Sequence, residues 1–343
     1  MDDFIIGPEE TILVTGAAGF IGTRLVSVLQ RFGFHKVRCM VRSNLSQFEY
    51  RPGLEFVNGN LLSREACEEA TRDVAVIYHL AAGTGSKSFA DSFMNSVVTT
   101  RNLLEGARRD KRLRRLVNIS SFAVYTNSAK RRSNLFDETC PTEPHPESRG
   151  DPYAYAKAKQ DELVMEYAAK YGIQQVMVRP GVVYGPGKER IHGRIGLDTF
   201  GIFLHLGGSN PVPFTYVDNC AELIALAGLM PGVEGEIFNA VDDDIPSSRE
   251  FLRLYKKEVR RFPSLYLPHF ASYLLCFLWE KMAHASGGQL PPIHNRKEWM
   301  ACWKRTQYSN EKAKRMLKWS PRVSTTEGLQ RYFDFCKGAR SHA

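Results

Sequence analysis

Short apolar runs alternate with amphipathic stretches of helix length along the first half of the chain. The runs ETILVTG, KVRCMV, EFVNGN, VAVIYHLAA, RLVNISS and IQQVMVRP read as strands. Between them, FIGTRLVSVLQRF, a charged stretch at 63–71, and segments at 94–109 and 153–171 carry helical spacing. Strands separated by helices form parallel βαβ units, and a parallel sheet buried on both faces explains why the strands are almost purely apolar. The regularity fades after Pro180, where stretches rich in Gly and Pro (GPGKERIHGRIG, LGGSNPVP, PGVEGE) break up shorter elements. The pattern predicts an α/β fold: a Rossmann-type, doubly wound parallel sheet at 1–180 and a smaller mixed substrate lobe at 181–343. A strand and helix at 212–230 are expected to return to the first unit. No linker separates the two, so they are expected to interleave.

With 343 residues, 43% hydrophobic and 24% charged, the chain can bury a core unaided, which excludes a disordered protein and a disulfide-stapled miniature. Its net charge is +9, and the segment 251–343 alone carries +12. A basic region of this kind is either a solvated face or a surface for an anionic partner. The seven cysteines are scattered and never form CxxC, which points to reduced thiols in a cytoplasmic setting. The acidic start MDDFIIGPEE does not read as a signal peptide, and no apolar run reaches the length of a membrane span. The basic run 108–115 lacks interleaved aromatics and joins a helix to a strand, so nucleic acid is not an expected partner.

Chemistry first appears in Thr15-Gly16-Ala17-Ala18-Gly19-Phe20-Ile21-Gly22, which leaves an apolar strand and opens an amphipathic helix. One glycine makes the tight turn, one lets backbone approach a pyrophosphate, and one lets helix and strand pack closely. The free N–H groups and positive end of the helix then receive the phosphates. No carboxylate ends the second strand to bind a ribose 2′-hydroxyl. Arg42 stands there instead, with Arg38 nearby, and a guanidinium suits a 2′-phosphate. The cofactor expected is therefore NADP in preference to NAD.

Tyr153 and Lys157 lie four apart on one helix face, and an ammonium beside a phenol makes it a usable acid and base. Tyr155 and Lys159 repeat the spacing, and spacing alone leaves both pairs open.

The whole pattern resembles the extended short-chain dehydrogenases/reductases, which include nucleotide-sugar epimerases and dehydratases and hydroxysteroid-type dehydrogenases. The resemblance runs from about Thr11 to Gly328. It rests on TGAAGFIG, HLAA, VNISSFAVY, YAYAK, RPGVVYGPG, FTYVDN, GEIFNAVDDD and LKWSPRVSTTEGL. It implies that Ser121 holds the substrate's reacting oxygen, Tyr153 passes the proton, and Lys157 holds the nicotinamide ribose and tunes Tyr153. Pro152 before the tyrosine and Asp161 four after the lysine select Tyr153/Lys157 over the overlapping pair. The resemblance also places Gly16, Ala18, Gly19, Phe20, Ile21, Gly22, Arg42, Asn60, Leu61, Leu80, Ala81, Ala82, Pro180, Val182 and Val183 at the dinucleotide. Asn60-Leu61 replaces the family's Asp-Leu, and its amide oxygen can still accept a bond from adenine. Asn95 is expected to cap or bridge at the head of its helix. Asp218 and Asn219 are expected as helix N-caps, and Asp242–Asp244 as a loop.

Two activities share this apparatus. One is hydride transfer between nicotinamide C4 and a secondary alcohol or ketone; the other is epimerisation of a nucleotide sugar, by transient oxidation and re-reduction. A catalytically silent, cofactor-binding sensor or scaffold is the reading from another class. The string Arg179-Pro180-Gly181 and the aromatic segment 262–279 look more like the hydroxysteroid branch. That segment reads as a core helix of the second lobe, or as a surface for an apolar substrate or a membrane, its basic flank 256–261 then facing anionic lipid. The resemblance also implies a homodimer formed through the helices at 95–109 and 153–170.

Overall fold

A computed structural model describes residues 4–42, 52–83, 88–127, 134–199, 201–287, 289–290 and 295–341. Seven parallel strands form the central sheet, in the order Ile237–Ala240, Gln175–Pro180, Arg115–Ile119, Val74–His79, Thr11–Thr15, Val37–Val41, Leu54–Asn58. The chain order reverses between Thr11–Thr15 and Val74–His79, and in such sheets ligands bind in the crevice at that switch point, outside the carboxyl ends of the strands. Val74–His79, Arg115–Ile119 and Gln175–Pro180 are buried along their whole length, as strands covered on both faces must be.

One face of the sheet packs against the helices Phe20–Arg31 and Val217–Leu229, through residues such as Leu25, Leu29, Ala221 and Ile224. The other face packs against Arg64–Thr71, Thr99–Ala107 and Pro152–Tyr171, through Cys67, Leu103, Leu104 and Val164. Ser63 caps the first of these three helices by accepting from Ala66 N at 3.2 Å. Asp151 caps the last, with Pro152 in its opening turn and Gly172 in the left-handed region at its end.

The structure differs from the sequence reading at particular residues. The helix expected at 94–109 begins earlier: Ser88 caps Phe89–Phe93, and the chain continues through a wide π turn at Met94–Val98 into Thr99–Ala107. Asn95 therefore heads no helix; its Nδ2 donates to the Asp91 carbonyl at 2.9 Å. The helix expected to be capped by Asp218 or Asn219 starts at Val217 with no side-chain cap. Asn219 instead donates to Asp242 Oδ1 at 3.0 Å and to the Val323 carbonyl at 2.8 Å, clamping the end of the chain. Asp218 pairs with Arg24 at 3.3 Å. Asp242 is buried, and burial pushes its carboxyl up to about 7.

The segment at 212–230 supplies the strand Phe214–Tyr216, paired with Val182–Tyr184, and then the Val217–Leu229 helix. The C-terminal elements include a three-stranded sheet (Gly196–Thr199, Ile202–His205, Ser264–Tyr266) and the helices Ser248–Glu258, His269–Ala285 and Arg296–Trp303. The final helix, Thr325–Ser341, returns Leu329, Tyr332 and Phe333 to the first core. The expectation that 262–279 forms a core helix is overturned. In His269–Ala285 only Ser272 and Ala283 are buried, and Phe270 is 78% exposed.

Candidate active site

The strand Thr11–Thr15 runs into Gly16, whose φ of 70° turns the chain into the first helix. A Cβ on Gly16 would lie 2.9 Å from Ala81 N, and one on Gly22 would lie 2.2 Å from the Gly16 carbonyl oxygen. These two glycines are what let the turn, the neighbouring strand end and the helix approach one another. Gly19 is the N-cap and provides no side-chain acceptor, so the first helical N–H groups face outward uncapped. That uncapped, partly exposed start, with Ala18, Phe20 and Ile21 around it, fits a dinucleotide pyrophosphate. Lys188 adds a cation on this side, its Nζ 4.9 Å from the Phe20 ring centre.

Leu80, Ala81 and Ala82 follow the adjoining strand, with Ala81 N donating to Thr15 Oγ1 at 3.4 Å. Arg42 is exposed at the carboxyl end of the second strand, on the side of the glycine turn. Arg38 is not at that end. It is committed to Glu55 at 2.9 Å and to the Ala70 and Arg72 carbonyls. Asn60 folds its own loop by accepting from Leu62 N at 3.0 Å, while the Leu61 carbonyl, above a buried side chain, accepts from Asn102 at 3.0 Å. Pro180 ends its strand, and Val182 and Val183 line a cavity of about 630 Å³ with Tyr184, Lys188, Arg190 and His192.

Ser121 stands just past the Arg115–Ile119 strand, where its Oγ accepts from Ala123 N at 3.1 Å and caps a single 3₁₀ turn. Ser121 lies close enough to Tyr153 to lower its phenol, against the stronger upward push of burial. Ser120, by contrast, points into the fold and donates to Asp161 Oδ2 at 2.7 Å. One helical turn after Tyr153, Lys157 is buried, and its Nζ donates to the Ile119 carbonyl at 2.6 Å and to Gln160 Oε1 at 2.9 Å. Desolvation lowers the ammonium to about 8, against the attraction of Asp161. The expectation that Lys157 brings the Tyr153 phenol down is not met here: the phenol sits above its ordinary value because burial dominates. The Lys157 ammonium and Ser121 nonetheless both lie at the carboxyl end of the Arg115–Ile119 strand, with Tyr153 beside Ser121, on the edge of the sheet that carries the glycine turn. Tyr155 belongs elsewhere, its ring packed edge-on against Phe89 at 5.3 Å.

The contacts that support the site were not legible in the sequence. Asp161 is buried with Asn118, Ser120 and Arg179 donating to it, the last at 3.2 Å. Arg179 lies 4.7 Å over the Tyr125 ring, and Tyr125 donates to Asn239 at 2.8 Å. Arg149 ties the Ser121 turn to the second lobe, donating to the Ala123 carbonyl and to Glu298 at 2.9–3.0 Å. Gln160 reaches Lys157 from one turn on, a spacing the sequence does contain.

The family profile described as NAD dependent epimerase/dehydratase matches residues 12–240. The chain belongs to this family. This places it among the extended short-chain dehydrogenases/reductases. Among its relatives, an Arabidopsis thaliana trifunctional UDP-glucose 4,6-dehydratase/epimerase/reductase is 29% identical over 261 residues, covering 70% of this chain. The match spans only 38% of that longer protein. Short-chain dehydrogenase/reductase family 42E member 1 of Mus musculus is 29% identical over 355 residues, covering 95% of this chain and 88% of the relative. The solved UDP-glucuronic acid 4-epimerase of Bacillus cereus, in complex with UDP-glucuronic acid and NAD, shares the fold with a TM-score of 0.73. It is 23% identical, covering 96% of this chain and 99% of that one.

Proposed function

We propose that this chain transfers hydride between a nicotinamide and a secondary alcohol or ketone, with Tyr153 as the acid/base. The observation that carries this reading is the convergence of Ser121, Tyr153 and Lys157 at the strand ends beside the glycine turn. A bound nicotinamide dinucleotide supplies the hydride chemistry at its C4. The uncapped helix start at Phe20–Gly22 and the turn at Gly16 hold its phosphates. The Ser121 hydroxyl donates to the reacting oxygen and orients it towards Tyr153. Tyr153 gives its proton to the oxygen in reduction and takes it back in oxidation. Lys157, charged below about 8, would hold the ribose. Tyr153→Phe should abolish turnover and leave nucleotide affinity within about twofold. Full activity in that variant overturns the assignment.

An epimerase that re-reduces its own oxidised substrate is the second reading; the 630 Å³ cavity carries Lys188 and Arg190, with Glu189 between them, and the two cations suit a nucleotide diphosphate. Arg42 favours the 2′-phosphate of NADP within this NAD-dependent family; a lower Kd for NADH than for NADPH refutes that preference.

Two association surfaces complete the proposal. Met165 leaves exposed apolar surface on one of the two helices assigned to a homodimer, which light scattering tests. The second surface is the His269–Ala285 helix, which rests on an anionic lipid surface. Its exposed Phe270, Leu274, Leu275, Leu278 and Met282 continue from exposed Leu265 and Tyr266 on the preceding strand. Arg249 lies 5.2 Å over the Tyr266 ring, and Lys256 bonds Ser264 at 2.6 Å, so the cations border the apolar face. Among the described residues no helix is long and apolar enough to cross a membrane.

A further inference from the structure

His79 takes no part in the mechanism above, yet it is fully buried and both ring nitrogens are bonded. Nδ1 lies 2.7 Å from Thr15 Oγ1, and Nε2 lies 2.8 Å from Thr100 Oγ1. Thr100 has one hydroxyl proton and three partners: the Ser96 carbonyl at 2.5 Å, Gln160 Nε2 at 2.7 Å, and His79. A carbonyl can only accept, so the proton goes to Ser96. Gln160 meets Thr100 with its nitrogen and Lys157 with its oxygen, so its amide donates to Thr100. Thr100 must then accept from His79 as well, which fixes the proton on Nε2. Nδ1 is left as acceptor for the Thr15 hydroxyl, whose oxygen in turn faces Ala81 N.

We infer that His79, held neutral with its proton on Nε2, is a positioning residue that acts through Thr100 and Gln160 to hold the Lys157 ammonium in place. The chain of bonds has a single direction. Reversing the Gln160 amide would set its NH₂ against the Lys157 ammonium and its oxygen against a Thr100 oxygen that has no proton left to give. The Thr15 end of the chain sits at the start of the phosphate turn. The two halves of the cofactor site, the phosphate cradle and the ribose-binding lysine, are thereby joined through the protein interior. Burial supports the assignment, holding the imidazole down at about 3 with Lys157 as a second cause.

The inference rests on the catalytic reading of Lys157, and two measurements separate them. The first needs no turnover: ¹⁵N NMR of the imidazoles. Expected is one ring that keeps an Nε2–H and an unprotonated Nδ1 from pH 5 to 9, with its signals lost in His79→Gln. An Nδ1–H tautomer, or titration near 6.5, overturns the inference whatever the activity is. The second is the pH profile of kcat/KM for Thr100→Val and Thr100→Ser. Valine removes the acceptor of both donors, which frees the Gln160 amide. The Lys157 ammonium then loses an acceptor, so the alkaline limb should move down by about 1 pH unit, while serine retains the wild-type limb. Thr100→Val with a wild-type limb, in a protein of native circular dichroism, overturns the inference. Wild-type chain with the expected tautomer and no nicotinamide-linked turnover would overturn the functional reading instead.

Discussion

Replacing Gly22 with alanine places a methyl where the packing of the first helix on its strand leaves no room. The new Cβ would lie 2.2 Å from the Gly16 carbonyl oxygen and 2.8 Å from both Cα and O of Ala17. Ordinary contact begins near 3.4 Å, so the helix start must move by more than 1 Å. The obstructing atoms are backbone and cannot rotate away. Overpacking of this kind costs about 1–3 kcal/mol, and rigid neighbours put Gly22→Ala at the upper end, near 3 kcal/mol. The same displacement drags the outward N–H groups off the pyrophosphate. Losing one charge-assisted bond of ~1.5–3 kcal/mol weakens nucleotide binding at least tenfold. Urea unfolding followed by circular dichroism reads the first effect, and titration with reduced nucleotide reads the second. Gly338→Ala is the control: it lies in the last helix, its Cβ meets nothing within 4 Å, and it should gain about 1 kcal/mol. If Gly22→Ala keeps the wild-type midpoint and affinity, the packing argument for the cradle is wrong.

Further outcomes follow from the buried groups and the exposed helix. Asp161→Asn leaves Arg179 buried beside a neutral partner and should cost about 3 kcal/mol by urea unfolding; an unchanged midpoint would remove the pair from the account. His79 is held at about 3 in the folded chain against an ordinary 6.5, so the unfolded chain binds the extra proton between those values. Its contribution is complete above about 6.5 and lost as pH falls, at ~1.4 kcal/mol per unit, or about 2 kcal/mol between pH 6.5 and 5. His79→Gln should flatten that part of the stability curve, and an identical acid slope would refute the assignment. The chain should co-sediment with phosphatidylserine vesicles at low salt and not with neutral ones, and Leu274→Asp with Leu278→Asp should abolish binding. Sedimentation that ignores lipid charge, or is absent, ends the membrane reading.

The parallel sheet was legible because double burial leaves its mark directly in the residues: Val74–His79 is apolar up to the histidine that ends it. The glycine turn was legible because its constraint is steric and local. What lay beyond the sequence depends on partners distant along the chain. Asn219 has the spacing of a capping residue, but it bridges Asp242 and Val323, 23 and 104 positions away. Arg38 sits two residues into a strand beside the expected ribose site, yet the fold points it at Glu55 and two carbonyls. The helix at His269–Ala285 is apolar enough for a core, and periodicity says nothing of what covers it. The basic run at 108–115 is also settled by distant carboxylates, with Arg109 on Glu68, Arg112 on Asp73 and Arg114 on Glu10. Of the site itself, Ser121, Tyr153 and Lys157 could be picked out. Gln160 has a legible spacing from Lys157, but Thr100 and His79 could not be joined to it, because only the fold brings the three together.

The most direct test of the central claim is fluorescence titration of the purified chain with NADH and NADPH. The account predicts saturable binding of a reduced nicotinamide dinucleotide at one site per chain, weakened at least tenfold by Gly22→Ala and retained in Tyr153→Phe. If neither nucleotide saturates a chain that is folded by circular dichroism, the switch-point crevice is not a dinucleotide site and the proposed hydride transfer fails with it.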